Sequence, residues 1–385
     1  MITREFVQVL LGRLQEPEPR IQVVLGPRQV GKTTGVQQML SRLPGSHHYV
    51  SADDTLTVSN QWIQEQWQTA REKGPRTVLV IDEIQKIRNW AEAIKRLWDA
   101  QKSVAGIKCV LLGSSSLSLQ KGLTESLAGR FELLPVWHWS YLESQEAFGY
   151  TLETYLRYGG YPGAHLYLDD FNRWFSYIKS SIIDPVIGQD ILSQQSISKP
   201  ALFRQAFEIL CGYPAQEVSY TKLLGQLHDR GNTDLVKHYL ELYEGAFLFT
   251  SLFKYAAKTI RVKASSPKII PRAPALYTLA SGRHALDDSE KKGHVFEAAV
   301  GSDLLRIPGA QLYYWRDGNM EVDFVLVYQG NLYAIEVKSG RRKSTGHLLI
   351  FQKRHPKAKA CVITMDNYVD FVRSPIDFLS RVSIP

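Results

Sequence analysis

Short apolar runs alternate with longer segments of helical spacing over residues 1–145. The runs have the length of strands, and the segments between them, such as Trp90–Gln101, have the periodicity of amphipathic helices. Buried strands that alternate with helices predict an α/β fold, in which a parallel sheet is covered by helices on both faces. The predicted strands are Ile21–Leu25, Tyr49–Ser51, Val78–Ile81 and Cys109–Leu112.

The pattern changes twice after this region, first to helical spacing and then to strand spacing. Residues 146–275 contain three predicted short helices, Phe203–Leu210, Tyr220–Asp229 and Thr233–Glu244. Three prolines then indicate a connection: Pro267, Pro271 and Pro274. Residues 276–385 contain two predicted strands, Glu321–Tyr328 and Leu332–Val337, around a turn at Gln329-Gly330-Asn331. We therefore predict three domains, at 1–145, 146–275 and 276–385.

Length and cysteine content are consistent with a multidomain cytoplasmic protein. At 385 residues the chain exceeds what one hydrophobic core usually supports. Its first residues lack the basic start and apolar run of a signal peptide, and no apolar stretch approaches the ~18 residues of a membrane span. The three cysteines lack metal-type spacing, so we expect thiols in a reducing cytoplasm and no membrane contact.

The positive charge of the chain is concentrated in two stretches. The net charge is +8; Lys254–Arg272 holds six Lys or Arg, Val337–Met365 holds eight, and neither contains an acid. Such stretches can neutralise phosphates of a nucleic acid, although a solvated surface is the alternative. The residues expected to contact DNA here are Lys258, Arg261, Lys263, Arg341, Arg342 and Lys343.

A nucleotide-binding motif follows the first predicted strand. The run from Gly26 to Thr33 fits G-x-x-x-x-G-K-[ST] at every fixed position. Its glycines let backbone N–H groups surround phosphates at the start of a helix. We expect Lys32 to reach the β- and γ-phosphates of ATP, and the Thr33 hydroxyl to bind Mg²⁺. The expected cofactor-binding residues are Gly26, Pro27, Arg28, Gln29, Val30, Gly31, Lys32, Thr33, Thr34 and Asp82.

Four further residues are candidates for Mg²⁺ binding and hydrolysis. Asp82 ends a buried strand, where an acid is costly unless it serves a cation, and is predicted to be the second Mg²⁺ ligand. Glu83 is expected to activate water, with a helix-starting acid as the alternative. Ser114 could bond the γ-phosphate or its water, or form a turn. Arg130 could stabilise transition-state charge from its own subunit or from a neighbour in a homo-oligomer, or form a surface ion pair.

Together these motifs resemble the ATPase domain of prokaryotic AAA_14/DUF4143 proteins. The matching segments are Gly26–Thr33, Asp82–Lys86, Leu112–Ser115, Leu127–Arg130 and Tyr158–Gly163. The resemblance covers nearly the whole chain. It implies an AAA-type ATPase core, a helical segment of winged-helix character and a C-terminal DUF4143 domain.

The middle segment has the pattern of a helix-turn-helix. Its second and third predicted helices flank a turn with Gly231, and two later runs are expected to form a wing, Phe247–Lys254 and Thr259–Lys263. A helix-turn-helix protein reads the groove from the start of its later helix, which here is Thr233–Glu244. We therefore expect Thr233, Lys237 and His238 to contact DNA, with packing against a neighbouring domain as the alternative.

Carboxylates and a lysine are predicted to converge on the C-terminal hairpin. Glu336 and Lys338 lie two apart, so they share a face, and Asp323 on the other strand could join Glu336 on one divalent cation. Glu297 could add a ligand, and Lys338 could activate a water. The pattern resembles PD-(D/E)xK nucleases of the resolvase-like branch, with Val322 in place of the proline before Asp323. The resemblance implies a restriction-endonuclease-like domain, either active or silent.

These features leave two classes of function open. The first is an Mg²⁺-dependent ATPase that binds duplex or branched DNA, with or without metal-dependent cleavage. The second is a nucleotide-controlled switch or adaptor that acts on protein partners. No Asn-Lys-x-Asp motif is present, which argues against a GTPase.

Overall fold

Two compact units make up the chain. The computed structural model describes residues 2–18, 20–54, 59–101, 106–114, 123, 125–193, 195, 197–227, 232–256, 265–340 and 346–381. The first unit contains Met1–His138 and Asp184–Ser196, and the second contains Trp139–Ile183 and Ile197–Pro385. The short segment Asp184–Ser196 therefore belongs to the first unit, although both of its ends continue into the second.

A five-stranded parallel sheet forms the centre of the first unit. Its order is β2-β3-β4-β1-β5. The strands are β1 (Ile21–Gly26), β2 (His47–Ser51), β3 (Val78–Asp82), β4 (Lys108–Ser114) and β5 (Phe131–Pro135). Every residue of β1 and β3 is buried, as expected for strands covered on both faces. The predicted α/β fold and its four strands are confirmed, and β5 is an additional edge strand.

Helices cover both faces of this sheet and connect its strands. The four α-helices of the first unit's described residues that span at least two turns are Glu5–Gln15, Lys32–Arg42, Asn60–Glu72 and Trp90–Ala100. A single 3₁₀ turn, Ile84–Lys86, follows β3 directly. The segment Val186–Leu192 adds a helical turn of π type. The helix predicted at Trp90–Gln101 is therefore confirmed to within one residue.

The middle of the second unit is a winged helix. Its three helices are Pro200–Cys211, Tyr220–Gln226 and Thr233–Gly245. Its strands are β6 (Gln216–Glu217), β7 (Phe249–Leu252) and β8 (Lys268–Pro271), in the order β6-β8-β7. The predicted winged-helix character is confirmed, but the connection predicted around Pro267 and Pro271 is wrong. The central strand β8 runs there, and Pro271 takes its last position, where a missing N–H disturbs the ladder least.

The C-terminal part is a four-stranded mixed sheet with the order β12-β11-β10-β9. Its strands are β9 (Gln311–Asp317), β10 (Met320–Tyr328), β11 (Asn331–Lys338) and β12 (Ala358–Thr364). The predicted hairpin is confirmed, with Phe324 opposite Ile335. The α-helices that accompany the sheet are Ser289–Leu304, Gly346–Arg354, Tyr368–Arg373 and Pro375–Arg381. Phe324 and Ile335 pack in one buried cluster, while Val325 and Ala334 pack in another, so apolar side chains cover both faces of the sheet.

Backbone hydrogen bonds join the winged-helix strands to this sheet. The N–H of Tyr314 on β9 donates to Phe253 O at 3.2 Å, and the N–H of Tyr255 donates to Tyr314 O at 2.7 Å. The remaining helical elements of the second unit are Tyr141–Phe148, Leu152–Tyr158, Pro162–Tyr167, Phe171–Ser176, Tyr177–Ile183 and Ala275–Ser281. No described helix is long and apolar enough to cross a bilayer.

Candidate functional site

The phosphate loop connects β1 to the helix Lys32–Arg42 with little room for side chains. A Cβ on Gly26 would lie 2.1 Å from the carbonyl oxygen of Val136, so glycine is required there. Gln29 and Gly31 have left-handed φ values of 59° and 85°. Such turns aim successive backbone N–H groups into one concavity, where they can bind phosphate oxygens at the start of the helix. Pro27 and Val30 are buried below the loop, and Thr34 is exposed.

Lys32 lies inside this loop. Its ammonium donates to Gly26 O at 3.0 Å and to Pro27 O at 2.7 Å, and the residue is 8% exposed. Burial lowers the pKa of Lys32 to about 8, while the nearby Glu83 and Asp82 carboxylates oppose that shift. The cation is therefore held by carbonyl groups at the place where phosphates are expected.

Thr33 and Asp82 meet across the end of the sheet. The Thr33 hydroxyl donates to Asp82 Oδ2 at 2.7 Å, and the Tyr49 hydroxyl donates to the same oxygen at 2.8 Å. Asp82 is 5% exposed, and its Oδ1 accepts from the backbone N–H of Glu83 at 2.8 Å. A hydroxyl and a carboxylate in contact beside a phosphate loop are the ligand pair that Mg²⁺ uses with a nucleotide. These two residues fit the ion.

Glu83, Gln85 and Ser114 form a polar cluster beside Asp82. The Gln85 amide donates to the Glu83 carboxylate and, at 3.2 Å, to Ser114 Oγ, which lies 3.4 Å from Glu83 Oε2. Burial raises the pKa of Glu83; Lys32 opposes this shift and Asp82 adds to it. Within the described part of the chain, the other amide atom of Gln85, Oε1, is buried without a hydrogen-bond partner. A carboxylate that more readily takes up a proton is suited to activate water.

Arg130 lies away from this cluster. Its guanidinium bonds both carboxylate oxygens of Asp99, at 2.7 and 2.9 Å. It directly precedes β5, and its carbonyl accepts from Ile21 at the first residue of β1. The phosphate loop follows the last residue of β1, roughly 17 Å away at 3.3 Å per residue. The topology therefore contradicts action of Arg130 on its own subunit, while action on a neighbouring subunit stays a prediction.

Unlike Arg130, Arg28 lies at the nucleotide site, where it is held by a residue distant in sequence. Arg28, inside the phosphate loop, bonds the Asp190 carboxylate from Nε at 2.6 Å and from Nη2 at 2.5 Å. The Asp190 side chain is 4% exposed, and that of Arg28 is 30% exposed. Their hydrogen bond raises the pKa of Arg28 against the effect of burial. Asp190 belongs to Asp184–Ser196, the segment that returns from the second unit to the first.

The predicted DNA-contacting residues on the winged helix lie at the start of Thr233–Gly245. Asn232 caps this helix, and Thr233 is its first residue. Lys237 and His238 are exposed, but each lies near an acid of its own helix: Lys237 Nζ is 3.2 Å from Asp234, and His238 Nδ1 is 3.8 Å from Glu241. The remaining predicted contacts lie outside the described residues: Lys258, Arg261, Lys263, Arg341, Arg342 and Lys343.

The predicted C-terminal residues do come together. Asp323 and Glu336 are close enough that, after burial, Asp323 is the main cause that raises the pKa of Glu336. Lys338 forms an ion pair with Glu336, as their common face predicts, and Asp323 Oδ2 accepts from the N–H of Val337 at 2.7 Å. Glu297 lies near Asp323 as well, and the Asp323 carboxylate therefore adds to the effect of burial in raising the pKa of Glu297.

A lysine that the sequence did not indicate lies in this group of acids. Lys268 on β8 is 2.6 Å from Glu297 and 3.0 Å from Glu321. Across the described residues, no three His, Cys, Asp or Glu side chains are grouped in a way that could hold a metal ion. Of the acids expected to bind a divalent cation, Glu297 and Glu336 are instead paired with Lys268 and Lys338, and Asp323 accepts from a backbone N–H, so this arrangement does not fit that ion.

Comparisons with protein families agree with the architecture. An AAA domain, AAA_14, matches residues 18–145. A domain of unknown function, DUF8612, matches residues 149–287, and another, DUF4143, matches residues 292–379. This chain contains an AAA_14 domain and a DUF4143 domain. The match confirms the family resemblance and the nucleotide-binding fold of the first unit, in which the site described above lies.

Proteins similar to this chain are found in an archaeon and in a bacterium. An uncharacterized protein of Methanocaldococcus jannaschii, MJ1544, is 26% identical over 344 residues, 83% of this chain and 74% of that protein. An uncharacterized protein of Mycobacterium tuberculosis, Rv2008c, is 29% identical over 338 residues, 85% of this chain and 72% of that protein. Among solved structures, the Walker-type ATPase Paby2304 of Pyrococcus abyssi has a TM-score of 0.49 at 16% identity, over 72% of this chain and 95% of that one.

Three residues that contact the predicted site residues were missed by sequence analysis: Gln85, Asp190 and Lys268. Gln85 had a usable signal, because it lies two residues after Glu83 and a short turn after a buried strand brings both to one site. Asp190 had none, and Lys268 was counted only in the basic stretch Lys254–Arg272 as a possible phosphate contact, whereas it is buried, because the partners of both residues are distant in sequence.

Proposed function

We propose that this protein is an Mg²⁺-dependent ATPase that hydrolyses ATP to ADP and phosphate and acts on DNA in the cytoplasm. The observation that supports hydrolysis most directly is the contact of Thr33 with Asp82, together with the partly buried Glu83 beside it. Binding without hydrolysis would need the phosphate loop and the cation ligands but no base. Hydrolysis also needs a base, and the Glu83 carboxylate beside Asp82, with its raised pKa, is suited to that role.

In this proposal each residue has a separate task. Backbone N–H groups of the phosphate loop and Lys32 bind the β- and γ-phosphates, and Thr33 and Asp82 hold Mg²⁺, which neutralises charge on the phosphates when bound. Glu83 accepts the proton of the attacking water. Gln85 and Ser114 orient the Glu83 carboxylate, and the unpaired Oε1 of Gln85 can accept a hydrogen bond from that water.

DNA binding is assigned to the second unit. The winged-helix order of elements supports this assignment, because Thr233, Lys237 and His238 lie in the first two turns of Thr233–Gly245, from which such a domain reads a groove. The basic residues that were predicted around the wing would add phosphate contacts. We propose duplex or branched DNA as the ligand because both present grooves and closely spaced phosphates.

The test measures ATP turnover and DNA binding in the same samples. We expect duplex or branched DNA to stimulate ATP turnover, and DNA affinity to fall as salt rises. Lys237→Ala should weaken DNA binding while leaving turnover without DNA unchanged, and Lys222→Ala, an exposed lysine of the preceding helix, is the matched control. No turnover in the wild-type chain with Mg²⁺ would refute the ATPase proposal.

A specific observation favours a second candidate, a nucleotide-controlled switch for a protein partner. Lys237 and His238 each have an acid within one turn, Asp234 and Glu241, which reduces the positive potential offered to DNA. A surface of mixed charge is typical of contacts with other proteins. Normal ATP turnover without DNA affinity at low or moderate salt would favour this candidate and leave the nucleotide site as proposed.

A further inference from the structure

Lys268 is a buried lysine on a strand that is hydrogen-bonded to a neighbouring strand on each side. It opens β8, the central strand of the winged-helix sheet, where it pairs with Glu217 on β6 and with Leu252 on β7. The residue is 1% exposed. Since a charged side chain is rarely buried unless it is paired, the ammonium needs anions at fixed positions around it.

Those anions belong to the predicted nuclease-like cluster. The ammonium lies 2.6 Å from Glu297 Oε1 and 3.0 Å from Glu321 Oε1, and it donates to the carbonyl oxygen of Asp323 at 3.3 Å. An ammonium has three N–H donors, so these three oxygens use all of them. The ring of Phe324 lies 5.4 Å away and faces the same cation.

Bases also pair with Glu336, Glu217 and Glu321, and Asp323 accepts from the backbone. Lys338 pairs with Glu336, and Arg316 bridges Glu217 at 2.7 Å and Glu321 at 3.3 Å. Asp323 uses one oxygen to accept from the Val337 backbone. A divalent cation requires several oxygen ligands that are free to approach it together, whereas here the Lys268 ammonium already holds one carboxylate oxygen each of Glu297 and Glu321.

We infer that Lys268 is the permanent cation of this cluster, in place of the divalent metal that its Glu…Asp…Glu-x-Lys pattern predicts. The cluster then serves as a charge network that fastens the winged-helix sheet to the C-terminal sheet. Lys268 and Glu217 come from the first of these sheets, and Glu321 and Arg316 come from the second. This inference is independent of the proposed ATPase activity, because it involves no residue of the nucleotide site.

The test counts Mn²⁺ sites on the full-length chain from the electron paramagnetic resonance signal of free Mn²⁺. All variants carry Asp82→Asn, which removes the carboxylate of the nucleotide site from the comparison. We expect no saturable Mn²⁺ site while Lys268 is present. Lys268→Ala removes the ammonium and releases the carboxylates of Glu297 and Glu321 to turn toward Asp323, which should create one site that a further Asp323→Ala should remove. The exposed-lysine variant Lys222→Ala is the control and should bind no Mn²⁺.

Three results would overturn the inference. The first is a saturable Mn²⁺ site in the chain that retains Lys268, lost when Asp323→Ala is added. The second is a folded Lys268→Ala variant without a new site. The third is nicking of supercoiled plasmid by the wild-type chain that requires Lys338. If Lys268→Ala loses the circular dichroism of the folded chain, the chain that retains Lys268 is compared with and without Asp323→Ala. We expect no difference in Mn²⁺ binding between those two, and a site lost with Asp323 would overturn the inference.

Discussion

The ion pair between Arg28 and Asp190 should stabilise the segment Asp184–Ser196 on the first unit. Asp190→Asn retains the shape of the side chain but removes its charge and replaces one acceptor with an amide donor. One of the two bonds to the Arg28 guanidinium is therefore lost, and the other loses its ionic character. Because asparagine is neutral, no unpaired buried anion remains in the variant.

The size of the effect follows from the burial of each partner. A hydrogen bond to a charged group contributes about 1.5–3 kcal/mol, and the 30% exposure of the Arg28 side chain moves the expected value toward the lower part of that range. We expect the unfolding free energy to fall by ~2 kcal/mol. For a unit of this size that corresponds to a decrease in Tm of roughly 4–8 °C.

Two measurements test this expectation together. Thermal unfolding reports the decrease in Tm, and hydrogen exchange reports whether opening is concentrated in Val186–Leu192, where amides should exchange up to about 30-fold faster for ~2 kcal/mol. Asp169→Asn, which changes an exposed acid, is the matched control and should alter neither measurement. A double-mutant cycle with Arg28→Gln should give a coupling energy of about 1–2 kcal/mol. An additive cycle, or an unchanged exchange rate in this segment, would refute the reasoning.

The remaining predictions concern the nucleotide site. Because the pKa of Lys32 is about 8 and bound phosphates would raise it, ATP binding above pH 8 should take up a proton. Calorimetry in two buffers of different ionisation enthalpy detects this uptake, and equal binding enthalpies in the two buffers would contradict it. Glu83→Gln should retain ATP affinity in a binding assay and slow steady-state turnover by about 10²–10⁴-fold, and Gln85→Ala should slow turnover less. Normal turnover in Glu83→Gln would exclude Glu83 as the base. Arg130→Ala should leave turnover unchanged in dilute monomer and reduce it only where turnover per chain rises with protein concentration; a loss in the monomer would contradict the position of Arg130 beside Asp99.

Continuous buried strands and local motifs were predictable from sequence because their signals are contiguous. β1 and β3 are buried throughout and mostly apolar, β1 leads into the phosphate loop and β3 ends in Asp82, and parallel strands bring those ends to one edge of the sheet. This is why Thr33, Asp82, Glu83 and Ser114 were correctly expected near one another. The hairpin of β10 and β11 was equally clear, since its turn separates two strongly apolar runs.

The missed elements share weak local signals. β5 is an edge strand in which only Leu134 is fully buried, so its pattern resembles that of a loop. β8 has prolines around and within it, which predict a connection when neighbouring strands are unknown. Its one charged residue, Lys268, is acceptable in a buried central strand only because Glu297 and Glu321 reach it from elements that follow it in the chain.

The ion pair between Arg28 and Asp190 joins the phosphate loop to Asp184–Ser196, a segment that is continuous in sequence with the second unit. Arg28 stands within the phosphate loop, so a charge bound there competes with Asp190 for its guanidinium. Asp190 lies on a segment whose two ends, at residues 183–184 and 196–197, continue directly into the second unit. We therefore expect a bound nucleotide to change how firmly this segment is held on the first unit, which hydrogen exchange of its amides with and without ATP would report.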